Sequence, residues 1–234
     1  MLYQLLFRRV TIWVPTLAGL CAGLAIIATV IVGMLYHIHS FLAVDEPSDA
    51  LLLVIEGWIT PNELDQAVTR FRGGGYTGVI TTGGAVPDDL SRSTRTSYAA
   101  LARDYLLQRG LPESAVTAVP APESAQDRTY LSAVMVRDHL SRSGQAIDAI
   151  DVYSSGVHSR RTHALYRMAF GPQVRVGILS AQPVTYDPDH WWRTSVGAKT
   201  VLSEWISWIW TVLFFHPAPP GSHEEKWGPA SQSR

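Results

Sequence analysis

Residues 51–66 read LLLVIEGWITPNELDQ, and they contain both halves of an α/β unit. Leu51–Ile55 is an uninterrupted apolar run, the pattern of a strand covered on both faces in a parallel sheet. Thr60-Pro61-Asn62-Glu63 then supplies a capping box with proline at the first helical position. The stretch therefore predicts a strand, a short turn and a helix to about Arg72, stopped by Gly73–Gly75.

Outward from that unit the alternation repeats. Gly78–Thr82 reads as a second strand and Thr94–Gln108 as its helix, with Gly110 as the stop. Val116–Val119 is a weaker third strand. Ser124 and Asp127 open a helix whose Leu131, Val134, Met135 and Leu140 follow helical spacing. Ala149–Tyr153, His158–Phe170 and Val174–Leu179 complete the series as strand, helix and strand. Such βαβα order predicts a Rossmann-like α/β fold: an open, mostly parallel sheet of about five strands with helices on both faces.

The 234 residues carry a formal net charge of −1, with 47% hydrophobic and only 17% charged residues. Much of that apolar excess lies upstream of the first strand. Val10–Val44 contains no Asp, Glu, Lys or Arg, and Ile12–Tyr36 is dense in Leu, Ile, Val and Ala. Crossing a bilayer takes about 20 apolar residues. The run outlasts the roughly 7–15-residue core of a cleavable signal peptide, so it is read as a retained single-pass anchor. Cleavage near Ala43 is the alternative. Arg8 and Arg9 precede the run, and Asp45, Glu46 and Asp49 follow it. By the positive-inside rule the N-terminus is cytoplasmic and the domain periplasmic or extracellular, on the inner (plasma) membrane. Cys21, the only cysteine, lies inside the run, leaving a thiol-free domain suited to export. His37 and His39, two apart, do not share a helical face and are read as interfacial residues rather than metal ligands.

The expected organisation is residues 1–9 cytoplasmic, 10–36 transmembrane, 37–48 linker, 49–215 α/β domain and 216–234 a disordered tail rich in Pro, Gly, Ser and Glu. A second apolar run, Trp205–Phe215, is too short to span alone. It is expected as a final helix packed on the sheet, with a place in the membrane interface as the alternative.

In an open parallel sheet, ligands bind beyond the carboxyl ends of the strands. Four polar connections fall there: Glu56-Gly57-Trp58, Thr81-Thr82-Gly83-Gly84, the segment with Ser124, Asp127, Arg128 and Thr129, and Ser154-Ser155-Gly156-Val157-His158-Ser159-Arg160-Arg161. The last opens a helix, whose free N–H groups and positive dipole end favour an anion. Basic side chains are unfavourable at that end, so His158, Arg160 and Arg161 together imply a negative group beside them. The alternative leaves both arginines solvated and His158 capping the turn. Glu56, a carboxylate ending an apolar strand, needs partners; it can be a general base, a metal ligand or a counter-ion to Arg128 or Arg161. Asp127 suits the first turn of a helix whether or not it binds anything. No His-x-x-x-His or Cys pair marks a metal site in the domain, and no Gly-x-Ser-x-Gly marks a nucleophile. A charge near zero, with Lys199 the only lysine between 49 and 215, argues against nucleic acid.

Several of these motifs stand in a familiar order. Asp49-Ala50, Thr82-Gly83-Gly84, an alanine-rich helix, Gly110-Leu111-Pro112, Arg128-Thr129 and Ser154–Arg161 together resemble the YdcF/SanA/ElyC-like family of bacterial envelope proteins, over about residues 49–215. This chain departs from it where Glu56-Gly57-Trp58 replaces a glycine run, where Gln126-Asp127-Arg128-Thr129 replaces Ser-x-Asn-Thr, and at Thr162, Trp191-Trp192 and Glu204. The resemblance implies an anchored Rossmann-like domain in cell-envelope biogenesis, linked in relatives to peptidoglycan precursors, a polyprenyl-phosphate carrier, permeability or S-adenosylmethionine. It singles out His158 and Arg161 and demotes Arg160. The expected site has Glu56 and His158 as catalytic groups, with Gly57, Thr82, Gly83, Gly84, Asp127, Arg128, Thr129, Ser154, Ser155 and Arg161 binding a phosphorylated small molecule or lipid carrier. It names no cofactor and no metal.

Overall fold

The computed structural model describes residues 12–87, 97–123, 127–144 and 147–227. Arg8, Arg9, Thr94, Ser124 and Gln126, used above, lie outside that set. The chain divides into two units, one up to His37 and one from Ile38 onward. Helix α1 (Leu17–Leu42) has 26 residues and is long and apolar enough to cross a membrane. Its last turn, from Ile38, belongs to the second unit.

That unit holds five parallel strands, β1 (Leu52–Glu56), β2 (Gly78–Gly83), β3 (Val116–Pro120), β4 (Ala149–Ser155) and β5 (Arg175–Ala181), in the order β3-β2-β1-β4-β5. Order reverses between β1 and β4, so the two connections leaving their carboxyl ends run in opposite directions and part. Helix α2 (Pro61–Gly73) starts at Thr60, whose side chain accepts from the Glu63 N–H while Glu63 reaches back to the Thr60 N–H, the expected capping box. Helix α3 (Tyr98–Gln108) starts at Ser97, which accepts from the Ala100 N–H. Helices α4 (Arg128–Arg142) and α5 (Ser159–Phe170) follow β3 and β4.

Strand alternation divides the core into two layers. Leu53, Ile55 and Val79 meet Leu64, Ala67, Ala102 and Leu106 of α2 and α3. Val54, Ile80 and Val152 meet Tyr130, Val134, Leu165 and Tyr166 of α4 and α5 on the other side.

Three expectations need correction. Residues 37–48 are no free linker. Ile38, Leu42 and Val44 are buried, the Val44 N–H donates to Ser159 Oγ at 2.8 Å, and Glu46 pairs with Ile178 along the outer edge of β5. Its apolar residues find core, and its backbone covers a sheet edge that would otherwise stay unpaired. Second, the segment expected as a disordered tail contains helix α7 (His223–Trp227), after α6 (Ser195–Phe214). Buried Glu225 ion-pairs with Arg137 at 2.7 Å and accepts from Tyr130 Oη at 3.2 Å, and Lys226 meets Asp138 at 2.6 Å. Partners that distant in sequence cannot be read from composition. Third, α6 does not lie across the sheet. It starts ten residues earlier than the apolar run and packs on α5 and the 3-10 turns at Gly156–His158 and Pro188–Arg193.

Candidate functional site at the β1–β4 switch point

Glu56 ends β1 on the α4/α5 side of the sheet and is 2% exposed. Its Oε2 accepts from Ser154 Oγ at 2.5 Å and from Thr162 Oγ1 at 3.3 Å. Oε1 faces His158 Nε2 at 3.9 Å. Three elements thus bring β1, the end of β4 and the first turn of α5 onto one carboxylate.

His158 sits in the 3-10 turn Gly156–His158 and is 7% exposed. Trp58, carried by the turn after β1, covers it edge-on with ring centroids 4.9 Å apart. Its Nε2 also lies 3.5 Å from Thr129 Oγ1, and its Nδ1 lies 3.1 Å from Glu204 Oε1. Arg161 Nη2 approaches the same Nδ1 at 2.9 Å while its Nε donates to Glu204 Oε2 at 3.0 Å. A guanidinium only donates and Glu204 already takes it up on both oxygens. His158 Nδ1 thus stands between a donor, Arg161 Nη2, and an acceptor, Glu204 Oε1, while its Nε2 faces Glu56 and Thr129. Burial disfavours the Glu204 carboxylate, but hydrogen bonds and charge from His158 and Arg161 outweigh it and bring its pKa down to about 2.

Glu204 was absent from the expected site. It also supplies, within the chain, the negative group implied by the basic start of α5. The available signal was one acid bordering an apolar helical run. Arg160, by contrast, turns away: its Nε donates to the Phe41 carbonyl and its guanidinium lies 3.9 Å over the Phe41 ring.

The cleft beside His158 has a volume of about 1020 Å³. Its polar wall includes Gly83, Gly84, Asp127, Arg128, Thr129, His158, Arg161 and Glu204; Trp58, Leu165, Ile206 and Trp210 line the apolar side. Asp127 precedes α4 at φ 45°, a left-handed conformation that costs a non-glycine residue energy, and its side chain caps no amide. Burial pushes the Asp127 carboxyl up, against the pull of Arg161. Arg128 is exposed. Gly83 adopts φ 148°, and a Cβ there would stand 2.9 Å from Tyr98 Cβ.

Other expected residues are placed elsewhere. Ser155 points to the opposite face of the sheet and donates to Glu63 Oε1 at 2.5 Å, so it does not join Ser154. Strand alternation separates neighbours in this way, and it was legible beforehand. Ser154 itself is fully buried behind Glu56. Gly57 is required by packing: a Cβ would sit 2.5 Å from the Tyr98 carbonyl oxygen. Thr82 lies beside Glu56 in register, and its buried Oγ1 has no hydrogen-bond partner among the described residues. Among those residues no three His, Cys, Asp or Glu side chains could together hold a metal ion.

No protein-family model matches the chain, and no curated protein matches it. The site is an imidazole between two carboxylates, Glu204 at Nδ1 and buried Glu56 facing Nε2, beside a cleft with an exposed arginine.

Proposed function

We propose that this is a membrane-anchored envelope-biogenesis protein of the YdcF/SanA/ElyC-like kind that binds and processes a phosphorylated envelope precursor. α1 would cross the inner membrane with the N-terminus cytoplasmic and the domain outside. The observation that carries the reading is His158, held at Nδ1 by the Arg161–Glu204 pair and turned by Nε2 toward Glu56, beside the cleft. A histidine so held suits proton transfer to or from a bound group.

The phosphate is assigned to the mouth formed by Arg128, the Gly83-Gly84 backbone and the amides that open α4. Asp127 leaves those amides uncapped by its side chain, and a helix N-terminus with an adjacent guanidinium suits phosphate oxygens. Arg161 acts chiefly on Glu204 and His158. A non-catalytic envelope factor is the second reading, and one feature favours it: Glu56 and Arg161 are largely satisfied by residues of the chain itself.

The test uses full-length protein in detergent micelles, with native mass spectrometry for retained phosphorylated lipid or glycan and calorimetry with inorganic pyrophosphate. Arg128→Ala should weaken pyrophosphate binding by about tenfold or more, the value of a charge-assisted hydrogen bond. His158→Gln should retain the ligand and lose its turnover. A wild-type protein that retains no phosphate compound and ignores pyrophosphate would sink the proposal. A Glu56→Gln protein that fully supports envelope function in cells would favour the non-catalytic reading.

A further inference from the structure

Helix α6 carries an apolar face that is exposed among the described residues. Leu202, Ile206, Trp210 and Leu213 recur at intervals of three and four, so they share one side of the helix. All four are exposed, Ile206 at 66% and Leu213 at 59%, and Phe214 and Val212 border them. From Trp205 to Phe215 there is no charged residue. Lys199, exposed and three residues before Leu202, continues the row at its N-terminal end. A contiguous apolar strip of this kind on a water-facing helix marks a contact surface rather than ordinary surface scatter.

The neighbours of the strip indicate what covers it. Trp205 and Trp208 stack at 5.4 Å, and Phe41 meets them edge-on at 5.7 and 4.9 Å. Phe41 lies in the last turn of α1, four residues after His37, a rise of about 6 Å along a helix. The segment that leaves the apolar run is therefore seated on α6 itself. Tryptophans beside an uncharged apolar strip, with a lysine at its end, are the side chains that suit the headgroup boundary of a bilayer.

We infer that α6 is an interfacial helix that lies in the surface of the bilayer crossed by α1, with Leu202, Ile206, Trp210 and Leu213 toward the lipid. The inference rests on α1 crossing a bilayer, but not on the phosphate reading of the cleft. Ile206 and Trp210 also line the cleft, so this seating brings the mouth of the cleft to the lipid surface.

The full chain, with Cys21→Ser, is placed in vesicles of phosphatidylethanolamine and phosphatidylglycerol and labelled at one introduced cysteine with an environment-sensitive fluorophore. The positions are Ile206→Cys and Leu213→Cys on α6, Ile27→Cys in α1 and Leu101→Cys on α3. Nitroxide lipids should quench labels at 206, 213 and 27 several-fold more than the label at 101, with blue-shifted emission at the first three. Quenching at 27 but not at 206 or 213 overturns the inference while leaving the anchor. Quenching at none overturns both. Labels at 206 and 213 shielded from lipid quencher and from aqueous iodide alike, with a dimer by size, would assign the strip to a second copy instead. Leu213→Asp should release the label at 206 from lipid quenching, whereas Leu101→Asp should not.

Discussion

Two buried carboxylates stand at opposite ends of the sheet, and they differ in how completely they are used. Asp151, near the start of β4, is fully buried; its Oδ1 accepts from the Ser48 N–H and Oγ at 2.7 Å each, and Oδ2 accepts from Tyr76 Oη at 2.8 Å. Both oxygens are committed to donors, and the group locks the incoming chain onto the sheet. Glu56, at the far end, gives Oε2 to Ser154 and Thr162, while among the described residues Oε1 faces only His158, at 3.9 Å. Burial with a full set of donors makes a structural carboxylate. Burial with one oxygen facing only an imidazole leaves that oxygen available for the proton transfer proposed above.

That contrast can be broken experimentally, and the largest effect on stability is expected at Asp151. Asp151→Ala takes the acceptor from a half-buried amide and two half-buried hydroxyls, of which Ser48 Oγ keeps the Ile150 carbonyl, for a loss of about 3 kcal/mol in all. Denaturant unfolding followed by tryptophan fluorescence reads it; a loss below about 1 kcal/mol would remove Asp151 from its structural role. Ligand retention should survive below the melting transition.

Glu204 links the site to pH. Its folded pKa of about 2 lies below the ordinary 4.5, so its stabilisation is fully present above pH 4.5 and drains away as pH falls through about 2. The ceiling is about 3 kcal/mol from the size of the shift. Measured between those pH values, the stability gap between wild type and Glu204→Gln should close toward the acid end. A gap that stays constant would mean that the ion pair with Arg161 contributes nothing.

Glu56→Gln should cost only about 1 kcal/mol, because the amide oxygen can still accept from Ser154. It should nevertheless lower turnover of the retained precursor by about a hundredfold or more, the scale of a general acid–base contribution. Equal losses of stability at Glu56→Gln and Asp151→Ala would erase the distinction between the two ends. Arg128→Ala, an exposed change, should shift stability by no more than about 0.5 kcal/mol. Its effect belongs in pyrophosphate affinity, and a melting shift without an affinity change would remove Arg128 from the phosphate mouth.

Strand and helix identities followed from local rules. The strands expected at 51–55 and 149–153 became the parallel strands Leu52–Glu56 and Ala149–Ser155, and Thr60 with Glu63 formed the capping box that their spacing implies. Glu56, His158, Asp127, Arg128 and Thr129 were legible as a set because strand ends in such a sheet converge on one edge. Ser155 was grouped with Ser154 by adjacency in sequence, yet strand pleating sends it to Glu63. Glu204 escaped because 43 residues separate it from Arg161, and no local pattern links a helix acid to a turn histidine. The docking of 38–48 and of Glu225 on Arg137 escaped for the same reason.

The sequence by itself determined the alternation of strands and helices, the apolar helix at the N-terminus and the edge at which polar groups gather, because each depends on periodicity or on caps within a few residues. Tertiary structure alone decided which carboxylate meets which base, which oxygen of Glu56 faces His158, and that the face of α6 stays exposed among the described residues. Those outcomes depend on distances between segments far apart in the chain, and only packing sets them.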